Sequence, residues 1–215
     1  MNAATGIVHV IDDDASWRKS VERLMSAAGY QVALYESAEC FLEKSPVDAP
    51  GCILLDVRMP GLTGLQLQQR LVAMRQELPI VFLSGHGDIP LTVQAVKAGA
   101  EDFLTKPVDT DVLLRAVAQA ITRDRESRGK REQLDVLRGR IDGLTPTERK
   151  VFDLVVRGKL NKQIAVELGM TERTVKWHRH NIMPKLHVQS LAGLVSLAEQ
   201  LGLISAHDRP GPASE

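Results

Sequence analysis

The stretch Cys52-Ile53-Leu54-Leu55-Asp56 joins four consecutive apolar residues to a carboxylate. A short, continuous apolar run is typical of a strand that is buried on both faces, as in a parallel sheet. Similar runs lie on either side of it, at residues 7–11, 31–35, 80–83 and 102–104. Helical spacing of apolar residues fills the gaps, at residues 21–28, 38–44, 65–75, 90–98 and 111–121. The alternation predicts five parallel strands covered by helices on both faces.

Five such units in about 120 residues fit a flavodoxin-like, doubly wound α/β fold, which binds ligands at the carboxyl ends of its strands. The residues at those ends are Asp12, Asp13 and Asp14 after the first strand, Asp56 after the third, Ser84 at the end of the fourth and Lys106 after the fifth. Clustered carboxylates repel one another, and a divalent cation with a preference for oxygen ligands relieves that repulsion, which predicts bound Mg²⁺. Asp56 is then free to attack a phosphoryl group, whose oxygens Mg²⁺ and Lys106 neutralise.

The charge of the chain is divided unevenly although its formal net charge is +0. Residues 1–124 carry 11 Lys and Arg against 16 Asp and Glu, and residues 125–215 carry 16 against 11. An acidic half followed by a basic half indicates cation or phosphate chemistry first and a polyanionic partner second. Cys40 and Cys52 have neither metal-ligand spacing nor a disulfide framework. We see no secretory signal and no membrane-spanning apolar run, so we expect a cytoplasmic protein without membrane contact.

Residues 1–122 are predicted to form the α/β domain, and residues 123–142 are predicted to be a charged, partly helical linker continuous with the preceding helix. Gly129 and Gly139 are weak points in that linker. Residues 143–205 are predicted to form an all-α domain of four helices, the first of which begins with a capping box and a proline at Thr145-Pro146-Thr147-Glu148. The tail 206–215 is predicted to be disordered.

Residues 161–176 read as a helix, a tight turn at Gly169 and a second helix capped by Thr171, which is the order of a helix-turn-helix motif. Arg173, Lys176, Trp177 and His180 share one face of the second helix, which predicts a helix for the DNA major groove. The residues expected to contact DNA are Lys162, Arg173, Thr174, Lys176, Trp177, Arg179 and His180, with Lys162 and Arg179 at phosphates. Pro184 lies inside this helix and is expected to kink it or end it early.

Two enzymatic interpretations account for less of the chain. Residues 85–90 begin like a dinucleotide-binding fingerprint, but Pro90 replaces the third glycine. An aspartyl phosphatase would usually have a second acid where Arg58 stands.

Two other features of the sequence have ordinary structural explanations. The three histidines at 178, 180 and 187 lack a fourth residue in a pattern that would bind a metal. Trp17, just after the aspartate cluster, is expected to be surface packing.

The first half resembles the receiver domain of two-component response regulators over about residues 6–122. The resemblance rests on Val-Ile-Asp-Asp-Asp at 10–14, the stretch from Leu54 to Leu65, Leu-Ser-Gly-His-Gly-Asp at 83–88, and Ala-Gly-Ala-Glu-Asp-Phe-Leu-Thr-Lys-Pro at 98–107. It implies that Asp12, Asp13 and the backbone carbonyl of Arg58 bind Mg²⁺ together with Asp56. It also implies that Asp56 accepts a phosphoryl group from a sensor histidine kinase, that Ser84 hydrogen-bonds that group, that Phe103 rotates inward, and that the Lys106–Pro107 bond is cis.

The second half resembles the LuxR-type helix-turn-helix domain of the NarL/FixJ regulators over residues 144–201, and the Gly-His-Gly-Asp loop resembles the FixJ side of that family. The supporting stretches are Leu-Thr-Pro-Thr-Glu-Arg from Leu144, Asn-Lys-Gln-Ile-Ala from Asn161, Thr-Glu-Arg-Thr-Val-Lys-Trp-His-Arg-His-Asn-Ile from Thr171 and Lys-Leu-His-Val from Lys185. His187 departs from the pattern, because glycine is common there.

Together the two resemblances imply a transcription factor, not an enzyme, that binds promoter DNA, forms a homodimer on phosphorylation and engages RNA polymerase. Val93 and Lys97 are the dimer contacts that the resemblance suggests. Dimerisation and the release of a docked DNA-binding domain are both consistent with the sequence. The alternative is a DNA-binding protein that works without phosphorylation and uses its receiver as a dimer scaffold.

Overall fold

A computed structural model of the protein describes residues 6–44, 48–85 and 89–204. The tail 206–215, predicted to be disordered, and residues 86–88 of the Gly-His-Gly-Asp loop lie outside the described residues. The chain separates into two compact units, residues 1–128 and residues 129–215. No helix within the described ranges is both long enough and apolar enough to cross a lipid bilayer.

The first unit contains a five-stranded parallel sheet in the order β2-β1-β3-β4-β5, as the doubly wound prediction requires. Its strands are β1 (Ile7–Ile11), β2 (Gln31–Tyr35), β3 (Gly51–Asp56), β4 (Ile80–Ser84) and β5 (Asp102–Thr105). Its helices are α1 (Ala15–Ala27), α2 (Ala38–Lys44), α3 (Gly64–Ala73), α4 (Ile89–Lys97) and the first part of α5 (Thr110–Asp142). The predicted flavodoxin-like fold is confirmed.

Alternate residues of the buried central strand β3 face opposite sides of the sheet and build two separate cores. Ile53 and Leu55 pack with side chains of α2, α3 and α4. Cys52 and Leu54 pack with side chains of α1 and α5. Burial on both faces explains why the sequence of this strand is continuously apolar.

Helix α5 is a single helix of 33 residues that runs without a break through Gly129 and Gly139. The first unit extends beyond the predicted boundary at residue 122, as far as Arg128. The physical reason is Asp124, a buried carboxylate that accepts hydrogen bonds from Gly51 N–H at 2.9 Å and from Arg128 Nε at 2.8 Å. These contacts attach the start of the predicted linker to the edge of β3.

The second unit continues with four helices, α6 (Pro146–Val156), α7 (Asn161–Leu168), α8 (Glu172–Lys185) and α9 (Leu191–Gln200). The predicted capping box is present, because Thr145 Oγ1 accepts from the Glu148 N–H and the Glu148 carboxylate accepts from the Thr145 N–H. Glu148 is also held by Lys185 Nζ, at 2.8 and 2.7 Å from its two carboxylate oxygens. This ion pair joins the start of α6 to the end of α8.

Candidate functional site

The carboxyl edge of the sheet in the first unit brings three aspartates together. Asp12 follows β1 and is 1% exposed, while Asp56 ends β3 and is 9% exposed. One carboxylate oxygen from each of Asp12, Asp13 and Asp56 lies within 4.8 Å of the others. The parallel register aligns Ile11 with Leu55 on the neighbouring strand, so residues 12 and 56 leave the sheet side by side.

Lys106 supplies the positive charge of this cluster. Its Nζ lies 2.6 Å from Asp12 Oδ2 and 3.5 Å from Asp56 Oδ1. The backbone N–H of Lys106 donates to the Ser84 carbonyl at 2.7 Å, which ties the end of β5 to the end of β4. The Lys106–Pro107 peptide bond is cis, as the resemblance implied.

The electrostatics of Asp56 reflect opposing influences. Burial raises the pKa of the Asp56 carboxyl above its ordinary value, and the charges of Asp12 and Asp13 raise it further. The Lys106 ammonium acts in the opposite direction but does not cancel the rise. A buried carboxylate with two like-charged neighbours has the environment that a bound divalent cation would stabilise.

The other residues predicted for this site lie on β4, β5, α4 and the segment after β3. Ser84 is buried at the end of β4, and Arg58 is exposed two residues after Asp56. Phe103 is half-buried on β5, with its ring centroid 6.1 Å from that of Phe82. Val93 and Lys97 are both exposed on α4.

Two residues at this site have roles that the sequence reasoning missed. Gly64 begins α3, and a Cβ there would overlap the Asp56 carbonyl oxygen, so the helix approaches the end of β3 this closely only because the residue is glycine. Trp17, expected to be surface packing, places its ring centroid 5.0 Å from Lys106 Nζ. A glycine eight residues after Asp56 and an aromatic residue close to the charged cluster were the available indications.

In the second unit, α7 and α8 form the helix-turn-helix. Gly169 makes the turn with φ of 63°, in the left-handed region that favours glycine, and Thr171 Oγ1 accepts from the Thr174 N–H at 3.2 Å. Val175 and Ile182 on α8 are buried in the core of this unit. Arg173, Lys176, Trp177 and His180 are exposed on the same helix, as the helical wheel predicts.

The other residues expected to contact DNA differ in their exposure and in their hydrogen bonds within the protein. Lys162 is exposed on α7, whereas Thr174 contacts the Thr171 hydroxyl at 2.9 Å. Arg179 is half-buried and donates to Asn161 Oδ1 at 2.7 Å, which holds α8 against the start of α7. Trp177 is 59% exposed and lines a groove of about 490 Å³ beside the start of α6.

Pro184 lies inside the last turn of α8, close to the end of the helix. The helix stops at Lys185, one residue after the proline. His187 then adopts a φ of 54°, and the Val188 N–H reaches back to the Met183 carbonyl at 3.0 Å. His187 therefore occupies the left-handed position after a helix end that glycine usually fills, which explains why glycine is common at this place in the family pattern.

Comparisons with known proteins match both units of the chain. Residues 8–118 match the response regulator receiver domain, and residues 142–198 match the bacterial regulatory proteins of the luxR family. Nodulation protein W of Bradyrhizobium diazoefficiens is 43% identical over 94% of this chain and 88% of its own. The transcriptional regulatory protein FixJ of the same organism is 41% identical over 93% of this chain and 98% of its own. Proteins of this family regulate transcription and are not enzymes.

The solved structure of the response regulator StyR has a TM-score of 0.80 and 48% identity to this chain, and covers 91% of this chain and 98% of its own. The profile matches and the full-length relatives agree on both halves of the chain. The protein therefore belongs to the two-component response regulators that combine a receiver domain with a LuxR-type DNA-binding domain.

Proposed function

We propose that Asp56 accepts a phosphoryl group from a sensor histidine kinase and that this modification controls promoter binding by the second unit. The observation that carries the proposal is the cluster at the sheet edge, where Lys106 Nζ lies within 4 Å of both Asp12 and Asp56. A receiver that served only as a dimer scaffold would not require this arrangement of buried charges.

In the proposed transfer, a carboxylate oxygen of Asp56 bonds to phosphorus while the bond between phosphorus and the histidine nitrogen of the donor breaks. The electron pair of that bond remains on the imidazole, which then takes up a proton. Lys106 is placed to pair with the oxygens of the transferred group.

Asp12, Asp13 and Asp56, with the backbone carbonyl of Arg58, are proposed to hold Mg²⁺. The three carboxylates supply the oxygen donors that this cation prefers, and their mutual repulsion favours a divalent cation among them. When bound, Mg²⁺ neutralises charge on the phosphoryl oxygens.

The switch is proposed to run through Ser84 and Phe103. Ser84 hydrogen-bonds the phosphoryl group, Phe103 moves inward, and the exposed face of α4 that carries Val93 and Lys97 changes shape and dimerises. Two DNA-binding units would then be held together, which raises the effective concentration of the second unit at DNA. RNA polymerase is the further partner proposed for the assembled dimer.

Helix α8 is proposed to enter the major groove with Arg173, Lys176, Trp177 and His180 facing base edges and backbone. Thr174, at the start of the helix, and Lys162 on α7 are proposed to contact phosphates of the flanking backbone. Arg179 is proposed to act at a phosphate while its bond to Asn161 holds α8 in place.

The test is direct detection of the acyl phosphate. Full-length protein is incubated with Mg²⁺ and acetyl phosphate, and the mass increase is measured on the intact protein. Borohydride then reduces the aspartyl phosphate to homoserine with release of phosphate, and peptide analysis locates the residue that was converted. We expect a single modified residue, Asp56, and no modification in Asp56→Asn. Glu43→Gln removes an exposed carboxylate on α2 and should leave the modification unchanged. Labelling at another residue, or equal labelling of Asp56→Asn, would contradict the proposal.

A further inference from the structure

The contact between Trp17 and Lys106 joins the first turn of α1 to the residue after β5. Lys106 Nζ lies 5.0 Å from the centroid of the Trp17 ring, within the distance at which an ammonium is attracted to the negative face of an indole. The same ammonium is 2.6 Å from Asp12 Oδ2 and 3.5 Å from Asp56 Oδ1. Among the described residues, the ammonium thus contacts two carboxylates and one aromatic ring.

Local structure holds the Trp17 ring in this position. Asp14 caps α1 and accepts the backbone N–H groups of Ser16 at 2.8 Å and Trp17 at 3.2 Å. The Trp17 side chain is half-buried and packs against the core formed by α1, α5 and one face of the sheet. Its Nε1 is buried without a hydrogen-bond partner among the described residues. The side chain gives up this polar contact and still occupies a place beside the lysine, as expected if the ring face is what matters.

We propose that Trp17 is a positioning residue for Lys106: its indole face holds the ammonium at the rim of the carboxylate cluster, within reach of both Asp12 and a phosphoryl group on Asp56. The inference rests on the proposed phosphorylation of Asp56. A lysine side chain has four rotatable bonds, and one that is drawn only to carboxylates would stay paired with Asp12, the nearer of the two. The ring provides a second attraction that does not compete for the carboxylate oxygens.

The first arm of the test examines the contact itself. A Trp177→Phe background leaves Trp17 as the one remaining tryptophan of the two in the chain. Its emission is compared with Lys106 intact and in Lys106→Met, without metal and without phosphodonor. We expect the loss of the ammonium to change the intensity or the wavelength of Trp17 emission. Identical spectra from the two proteins would overturn the inference, and this arm leaves Trp17 itself untouched.

The second arm measures the maximal rate of Asp56 phosphorylation by acetyl phosphate at saturating Mg²⁺. Trp17→Phe keeps an aromatic face, whereas Trp17→Leu keeps apolar bulk without one. We expect Trp17→Phe to stay within about twofold of the parent rate and Trp17→Leu to lose about fivefold, the effect of a single cation–π contact. Thermal midpoints are measured in parallel, since a purely structural role predicts losses that follow stability and are not rescued by phenylalanine.

The outcomes separate the two claims. If the parent is phosphorylated and Trp17→Leu is phosphorylated at the same rate, the positioning role of Trp17 is overturned and the proposed function stands. A parent that acquires no phosphoryl group overturns the proposed function, and the positioning role with it. A rate loss in Trp17→Leu that Trp17→Phe restores, with similar thermal midpoints, supports the inference.

Discussion

Lys106 Nζ is closer to Asp12 than to Asp56, at 2.6 Å against 3.5 Å. Its charge is therefore shared unequally, and Asp56 keeps a raised pKa in spite of the nearby ammonium. A carboxylate whose pKa is raised by folding destabilises the fold when it is ionised, because the folded state prefers the protonated form. The ionised Asp56 carboxylate is thus expected to lower the stability of the metal-free receiver at neutral pH.

This relationship predicts that Asp56→Asn stabilises the receiver in the absence of Mg²⁺, because the asparagine carries no charge to bury beside Asp12 and Asp13. Mg²⁺ should raise the stability of the parent and have much less effect on Asp56→Asn, since the variant lacks one of the three carboxylates. Urea unfolding followed by Trp17 emission in a Trp177→Phe background checks both points. Glu43→Gln is the matched control and should respond to Mg²⁺ like the parent. An Asp56→Asn protein that is less stable than the parent without Mg²⁺ would contradict this account of the cluster.

His9 on β1 predicts an acid-sensitive receiver. The side chain is 1% exposed, its Nδ1 lies 3.2 Å from the Tyr35 hydroxyl, and burial lowers the pKa of the imidazole to about 4. In the unfolded chain the His9 imidazole has a pKa near 6.5 and binds a proton below that pH, whereas in the folded receiver it stays neutral. The free energy of unfolding therefore falls as the pH drops from about 6.5 towards 4. Between pH 7 and pH 5 the contribution of His9 is about 2 kcal/mol.

The loss is the difference between the free energies of unfolding in urea at pH 7 and at pH 5. His9→Leu should abolish this difference, whatever the substitution does to stability at pH 7, because leucine does not titrate. Tyr35→Phe removes only the hydroxyl and should retain it. A pH dependence in His9→Leu equal to that of the parent would show that other groups cause the acid sensitivity.

The left-handed backbone at His187 predicts a stabilising substitution in the DNA-binding unit. A φ of 54° is unfavourable for a residue with a Cβ, so His187→Gly should stabilise the unit by about 0.5–1 kcal/mol. Denaturation followed by Trp177 emission in a Trp17→Phe background checks this. Gln189→Gly, two residues away and without a positive φ, should be neutral or destabilising. A loss of stability in His187→Gly would mean that the histidine side chain makes a contact worth more than the backbone strain.

Substitutions at phosphate contacts and at base contacts should have different effects on DNA binding. Only the loss of a phosphate contact is expected to change the salt dependence of the affinity. Lys162→Ala should weaken binding similarly for all sequences and reduce the slope of log affinity against log salt concentration by about 1. Lys176→Ala should instead relax the preference at particular base pairs, as measured by unbiased site selection. Lys19→Ala, an exposed lysine of the receiver, should change neither quantity. A salt slope unaffected by Lys162→Ala would remove Lys162 from the interface.

The sheet and its edge were predictable from sequence because both depend on local pattern. Strands buried on two faces are continuously apolar, and parallel topology places their carboxyl ends together, so Asp12, Asp56 and Lys106 could be brought to one crevice without coordinates. The capping residues Thr145 and Thr171 were predictable for the same reason, since their partners lie within three residues.

The remaining features depend on residues far apart in the chain. Asp124 looked like part of a charged linker, and only its contact with Gly51 shows that it belongs to the receiver. The position of Trp17 beside Lys106 depends in the same way on how α1 and β5 meet. A sequence shows that a residue is charged or aromatic, but it does not show which distant residue that side chain contacts in the folded protein.

The central claim is tested most directly by measuring DNA affinity and association state of the full-length protein with Mg²⁺, with and without acetyl phosphate, for the parent, Asp56→Asn and Glu43→Gln. DNA sites would come from unbiased selection. We predict that the phosphodonor drives dimerisation and increases affinity at least tenfold, a shift of about 1.4 kcal/mol, in the parent and in Glu43→Gln but not in Asp56→Asn. Equal binding by all three proteins, with and without donor, would contradict the claim and leave the receiver as a dimer scaffold.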